Sequence, residues 1–218
     1  MIEVQPYQIF RLVDLPVNAR EAQVQIPFRR GSDSLTLLET FILMAAMKVV
    51  QARTVFEFGT FLGATTLNLA SNLPDDGRVF TLDLGNSANI AQHEVDARIT
   101  QMRRKQPRFD FVGAPVQSKI TELTGDSTTF DYSPWVGFVD GGHDLETVRS
   151  DTVNSFEMIN LLSPSVVVWH DYGNPAYPEL TSYLDALSED REIFHVNGTM
   201  VCLSFNDPRR QIVPRISG

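Results

Sequence analysis

The sequence predicts an α/β fold, a doubly wound and mostly parallel sheet closed by an antiparallel hairpin. Three observations predict it. Short β-type runs alternate with helix-length segments from Thr54 onward, the order that a parallel sheet with crossover helices requires. The run over 166–169 is apolar throughout, as in a strand covered on both faces. The alternation then stops, and two β runs, 192–196 and 199–205, are separated only by Asn197-Gly198, the preferred two-residue hairpin turn.

Each element has its own signal. Residues 1–31 read as irregular, with Pro6, Pro16 and Pro27 spaced through them. Gly31-Ser32-Asp33-Ser34 offers N-cap chemistry for a helix over 35–52, where Leu38, Phe41, Ile42, Ala45, Val49 and Val50 recur at helical spacing and mark a buried face. Thr54–Phe58 is the first strand of the alternation, and the turn Gly59-Thr60-Phe61-Leu62-Gly63 leads into a helix over 64–72. Asp75-Asp76-Gly77 signals the turn before a strand over 78–84. A polar helix over 87–105, strands over 119–123 and 136–140, a helix over 145–161, the apolar strand over 166–169 and a helix over 177–187 complete the order. The domain so defined spans 35–205, with an N-terminal extension, 1–34, as a lid or oligomer contact and a tail, 206–218.

Composition narrows the classes of function. The chain has 218 residues, 43% apolar and 21% charged, which suits one soluble domain with a core that needs no disulfide. Cys202 is the single cysteine, flanked by Val201 and Leu203, so it reads as a buried strand residue in a reducing, cytoplasmic setting. The N-terminus lacks a basic stretch followed by an apolar run, and the most apolar helix carries Glu39 and Lys48 and is too short to span a bilayer. No membrane partner is expected. A formal charge of −9 with dispersed Lys and Arg argues against a nucleic-acid partner.

The first strand-to-helix turn carries the chemistry. Gly59 and Gly63 let the backbone approach a ligand without Cβ obstruction, at the ligand-binding edge of an open α/β sheet. Glu57 ends the preceding strand, where a carboxylate opposes a pyrophosphate and suits a cofactor bearing a cationic sulfonium and an α-amino group. S-adenosylmethionine has both and no phosphate. Asp83 ends the next strand, placed to accept from both ribose hydroxyls of an adenosyl ligand. Gly125-Asp126-Ser127 follows the third strand, with Asp126 set to accept from an adenine amino group and Ser127 to cover the ring. A turn that binds nothing is the competing reading for the glycines and Asp83, and Gly125-Asp126-Ser127 taken alone is also good turn chemistry.

Taken together, Glu57-Phe58-Gly59-Thr60-Phe61-x-Gly63, Gly125-Asp126-Ser127, Phe138-Val139-Asp140-Gly141-Gly142-His143 and Trp169-His170-Asp171-Tyr172 resemble the class I O-methyltransferase-like family, bacterial sugar and natural-product enzymes included. The resemblance covers residues 35–205. It implies a Rossmann-like, seven-stranded sheet, S-adenosylmethionine as donor and often a divalent cation such as Mg²⁺ beside the transferring methyl. On it, Glu57, Gly59, Thr60, Phe61, Gly63, Thr65, Asp83, Asp126, Ser127 and Asp140 become the cofactor-binding set. Asp140 and His143 become the catalytic pair, and Asp140, His170 and Asp171 the metal ligands. Ser163-Pro164-Ser165 departs from the Pro-Gly-Gly usual in relatives.

The residues leave two ways to manage the proton of an acceptor hydroxyl. His143 has a pKa suited to a general base. Alternatively, a cation held by Asp140 and Asp171, at the ends of neighbouring strands about 5 Å apart, lowers the pKa of the bound oxygen. His170 fits Mg²⁺ poorly as a nitrogen ligand. Successive strand residues also point to opposite faces, so His170 and Asp171 share a side only if the strand has already ended. His93 and His195 read as solvated or structural, Trp135 and Trp169 as core, Arg29-Arg30 as a solvated pair and Glu189-Asp190 as an exposed helix end. The expected acceptor is a small hydroxylated molecule, an N-methyl acceptor or a non-catalytic binding role being the alternatives. The apolar helix around Phe41 is a candidate surface for a homo-oligomer.

Overall fold

A computed structural model of the chain describes residues 1–12, 23–27, 35–84, 114–130, 144–159 and 163–207, and the backbone of 137–139. The alternation read from sequence is there. Thr54–Phe58 is β2, Ala64–Asn72 is α2 and Arg78–Asp83 is β3, while Ile120–Thr124, Gly137–Val139 and Ser165–Trp169 form β4, β5 and β6. Leu37–Val49 is α1, Leu145–Met158 α3 and Pro178–Asp190 α4. Phe194–Val196 and Cys202–Asn206 are β7 and β8. The expected polar helix over 87–105 and the N-cap at 31–34 lie outside the described residues.

The sheet has eight strands among the described residues, in the order β1-β7-β8-β6-β5-β2-β3-β4. The strand beyond the expected seven is β1, Ile2–Val4, from the segment read as irregular; it pairs parallel with β7, Ile2 opposite Phe194. Three residues are too few to show a period, and only Val4 of them is buried. A 3-10 turn over Pro6–Arg11 follows it. Strand β8 alone runs antiparallel to its neighbours, β6 and β7.

The β7–β8 connection is wider than the expected two-residue turn. Val196 N–H donates to Val201 O at 3.0 Å, which makes 197–200 the loop, and among 197–200 only Gly198 has positive φ, at 78°. A type I′ turn needs positive φ at both central residues. Here the Thr199 hydroxyl donates to Val196 O and accepts from Val201 N–H, closing the larger loop itself.

Alternate strand residues face opposite sides, and the core divides accordingly. Val55, Val79, Val166 and Val168 pack under α1 and α2, with Ile42, Met44, Leu69 and Ala70 above them. Phe56, Phe58, Leu82, Val167 and Trp169 face the other way, against Val148 and Met158 of α3 and Leu180 and Leu184 of α4. Both faces of the sheet are therefore covered, the requirement for a run as apolar as β6. Trp169 is 1% exposed and donates from Nε1 to the Thr152 hydroxyl at 2.9 Å, and Cys202 is fully buried.

Helix α1 starts two residues later than the sequence suggests, because its cap is Thr36. The Thr36 hydroxyl accepts from Glu39 N–H at 3.2 Å, and the Glu39 carboxylate accepts from Thr36 N–H at 2.9 Å, a reciprocal capping box. It ends where Gln51 turns left-handed, φ 53°, and Ala52 N–H reaches back to Met47 O. Phe41 is packed edge-on to Phe10 of the N-terminal turn, ring centroids 6.3 Å apart. Phe41 itself stays half-buried, and Leu37 and Leu38 of the same helix are exposed. No helix among the described residues is long and apolar enough to cross a membrane.

Candidate active site

Strand order reverses beside β2. Chain order runs outward from β2 through β3 to β4, then resumes with β5 on the other flank of β2. In open α/β sheets ligands bind at the carboxyl ends of the strands at such a switch point. Gly59 follows β2 there, and residue 140 follows β5.

The turn after β2 is held from below by a chain of hydroxyls. Glu57 is fully buried on the α2 side of the sheet, and its Oε2 accepts from Thr66 Oγ1 at 2.5 Å and Thr81 Oγ1 at 2.6 Å. Thr81 and Thr60 hydroxyl oxygens lie 2.6 Å apart. Since Thr81 gives its one proton to Glu57, Thr60 must donate to Thr81. Glu57 therefore ties β2, β3, α2 and the glycine turn together from a fully buried position.

Asp83, 8% exposed, holds the turn from the side: its Oδ2 accepts from Thr60 N–H at 3.1 Å and Phe61 N–H at 3.0 Å. Gly59 and Gly63 both have φ of 84°, and Phe61 at 46° is left-handed without being glycine. Such strain persists where the surroundings over-determine it; here the two amides on one carboxylate do so. Thr65 is half-buried in the first turn of α2. Gly125 N–H donates to Asp83 O at 3.1 Å, which brings the loop after β4 to the end of β3. A Cβ on Gly125 would stand 2.9 Å from Phe130 Cδ2, so the Phe130 ring packs against the loop where glycine leaves room. Asp126 accepts from Thr128 N–H and Oγ1 at 2.9 and 2.7 Å, an Asx turn. The loops after β2 and β4, carrying Gly59, Thr60, Phe61, Gly63, Asp126 and Ser127, thus both meet the end of β3 at Asp83, with Glu57 on β2 beneath the first of them.

Asp140 and His143 lie outside the described residues. His170 and Asp171 follow β6 after its last residue, Trp169, so the strand has ended and the two side chains meet. His170 Nδ1 is 3.2 Å from Asp171 Oδ2, and its Nε2 is 3.4 Å from Glu39 Oε1. Asp171 is left-handed, φ 65°, and its Oδ1 accepts from Asn174 Nδ2 at 2.7 Å. Burial works to raise the Glu39 pKa, but His170, the Met200 amide and both Thr36 donors outweigh it and bring it to about 2.

Of the expected metal set, Asp140 lies outside the described residues, and the two described members lie against other side chains. Both nitrogens of His170 face carboxylates, and both oxygens of Asp171 face donors. Among the described residues no group of three or more His, Cys, Asp or Glu is disposed around a metal position.

Sequence reasoning missed several participants. Thr66 and Thr81 carry no pattern that separates them from ordinary helix and strand threonines. Thr36-x-x-Glu39 is a legible capping box, although nothing in it points to His170. His195, with Nδ1 on Glu3 at 2.8 Å and Nε2 at Thr199 O, is structural as expected. On α3, Asp151 is fully buried: burial lifts its pKa to about 7, the Ser127 hydroxyl pulls against the rise, and the Asp144 and Asp126 charges add to it.

These features set an acid-braced glycine turn at the switch point of a doubly wound sheet. A methyltransferase domain model matches residues 56–172, more than half of the chain, and the chain belongs to that family. It is 25% identical over 114 residues to an Arabidopsis thaliana protein named for caffeoyl-CoA O-methylation, covering 52% of this chain and 47% of that one. The chain thus spans about half the length of the curated relative it matches. Similar solved structures include cofactor-bound Rv0187 from MTB, with a TM-score of 0.55, 19% identity and coverage of 83% and 84% of the two chains. Another is the O-methyltransferase from Bacillus cereus in complex with SAH, with a TM-score of 0.53, 15% identity and coverage of 80% and 83%. At these identities the likeness to the solved structures is one of fold.

Proposed function

We propose that the chain transfers a methyl group from S-adenosylmethionine to a hydroxyl of a small molecule. One observation carries the reading: in a chain of the methyltransferase-domain family, the Asp83 carboxylate and the glycine-turn amides are joined at the switch-point crevice, with the Glu57 side chain bracing the turn from beneath. Asp83, oriented by Thr60 and Phe61, accepts from the ribose hydroxyls. The turn from Gly59 to Gly63 and Thr65 flanks the methionine portion, and Asp126 and Ser127 flank the adenine. Asp140 contributes from the end of β5. Two relatives named for O-methylation, one of them solved with SAH, support oxygen as the target.

Reaction is an in-line displacement. The acceptor oxygen forms a bond to the methyl carbon as the carbon–sulfur bond breaks, leaving neutral S-adenosylhomocysteine, and the hydroxyl proton passes to His143. Holding the two reactants in line supplies much of the acceleration, and the base adds to it.

Calorimetric titration with S-adenosylhomocysteine and with NAD checks the cofactor. The expected result is binding of the first alone; NAD binding without S-adenosylhomocysteine binding overturns the reading. In a screen of phenolic and sugar hydroxyl acceptors, His143→Ala is expected to keep cofactor affinity and lose about 100-fold or more of turnover. Unchanged turnover removes His143 as the base.

A further inference from the structure

We propose that Thr81 is a positioning residue for the cofactor's ribose: its hydroxyl, set between Glu57 and Thr60, fixes the turn whose amides orient the Asp83 carboxylate. The proposal rests on the methyl-transfer reading for the identity of the ligand, and on the geometry of the turn for the role of Thr81.

The parallel register of β2 and β3 places Thr81 opposite Glu57. Alternation along β3 puts it on the same face as Asp83, two residues on. A threonine hydroxyl has one proton to give and lone pairs to receive another. Thr81 Oγ1 donates to Glu57 Oε2 at 2.6 Å and accepts from the Thr60 hydroxyl, its oxygen 2.6 Å away. Thr81 and Glu57 are fully buried and Thr60 is 3% exposed, so bulk water does not stand in for either bond.

The ladder between β2 and β3 reaches Gly59, whose N–H donates to Leu82 O at 2.8 Å. Beyond Gly59, the side chains of Thr81 and Asp83 join the turn to β3. Thr60 is held at two points, its hydroxyl on Thr81 and its N–H on Asp83 Oδ2 at 3.1 Å. Phe61 N–H meets the same Asp83 oxygen at 3.0 Å, from a left-handed backbone with φ 46°. A non-glycine residue keeps that conformation only under constraint. The plane of the Asp83 carboxylate follows from where these two amides stand, and Thr81 sets where Thr60 stands. Thr81 thus acts on the ribose through Thr60 and Asp83.

Packing alone does not call for a hydroxyl here. Valine is close to threonine in shape and suits a buried strand. Its cost is polar: it leaves the buried Thr60 hydroxyl without this acceptor and takes one donor from Glu57.

The test uses the full chain and two ligands, S-adenosylhomocysteine and its 2′,3′-dideoxy analogue, titrated calorimetrically. The wild type is expected to favour the parent ligand by about 10-fold or more, the effect of hydrogen bonds to a carboxylate. Thr81→Val is expected to shrink that preference to about 3-fold or less, and Thr81→Ser to restore it. Thr60→Val breaks the same contact from the turn and supplies the same readout should Thr81→Val not fold. Without ligand, the Thr60 and Phe61 amide protons are expected to exchange about 10-fold or more faster in Thr81→Val than in the wild type. A folded Thr81→Val that keeps the wild-type ligand preference overturns the proposal whatever its stability. Unchanged amide exchange does so too, as does a serine variant that behaves like the valine one. A wild type that binds neither ligand sinks the cofactor reading instead, and the amide exchange then still decides whether Thr81 holds the turn.

Discussion

Two buried acids respond to their surroundings in opposite directions. Glu39 is surrounded by donors and stays ionised, whereas Asp151 faces other carboxylates and burial with one hydroxyl beside it. An acid with a pKa of about 3.8 when unfolded and about 7 when folded holds its proton longer in the native state. Stability therefore falls as pH rises from about 4 to about 7, and is level above that. Asp151→Asn mimics the protonated acid. It is expected to remove this slope and to raise stability at pH 8 by as much as a few kcal/mol, at about 1.4 kcal/mol per pKa unit. Urea unfolding of both proteins at pH 5 and pH 8 checks this; a variant weaker than wild type at pH 8 contradicts it. Residues of this kind were the least legible in the sequence. Asp151 stands in an ordinary helical pattern, and only Ser127, Asp126 and Asp144 around it make it unusual.

At the scale of elements, the legible parts were those whose signal is local. Gly63 before α2, the apolar run of β6 and the alternating strands depend on neighbours in sequence, and they came out within a residue or two. Helix α1 shows where a local signal was available but outcompeted, since the Ser-rich stretch before it looked like the cap while Thr36 performs that role. Thr36→Ala removes the acceptor for Glu39 N–H and a donor to its carboxylate. The expected loss is about 1–2 kcal/mol, read as a lowered urea midpoint with unchanged slope. The hairpin loop was misjudged because Asn197-Gly198 carries a strong preference, whereas the Thr199 side chain, one position on, fixes the loop that forms.

For the whole molecule, the N-terminal segment is part of the structure. Val4 and Ile9 belong to the same core cluster as α1 and α2, β1 extends the sheet edge, and Gln25 is clamped by Asn72, whose side chain accepts from Gln25 N–H at 2.9 Å and donates to Gln25 O at 2.6 Å. Ile9 is fully buried, so Ile9→Ala should cost about 2–5 kcal/mol through lost burial and the cavity left behind. Thermal unfolding should show one transition shifted down; a separate early transition would mean that the segment is an independent appendage.

The sequence by itself determined the α/β class, the order of strands and helices, and the strand ends that carry Glu57, Asp83 and Asp171, because periodicity and turn chemistry act over a few residues. Only the tertiary structure decided what those acids touch. Glu57 sits on two threonine hydroxyls, Asp83 on two amides of the turn, and His170 between the carboxylates of Glu39 on α1 and Asp171 just past β6. Burial and electrostatics act between groups distant along the chain, and a contact between residues 39 and 170 leaves no periodic trace in the order of amino acids.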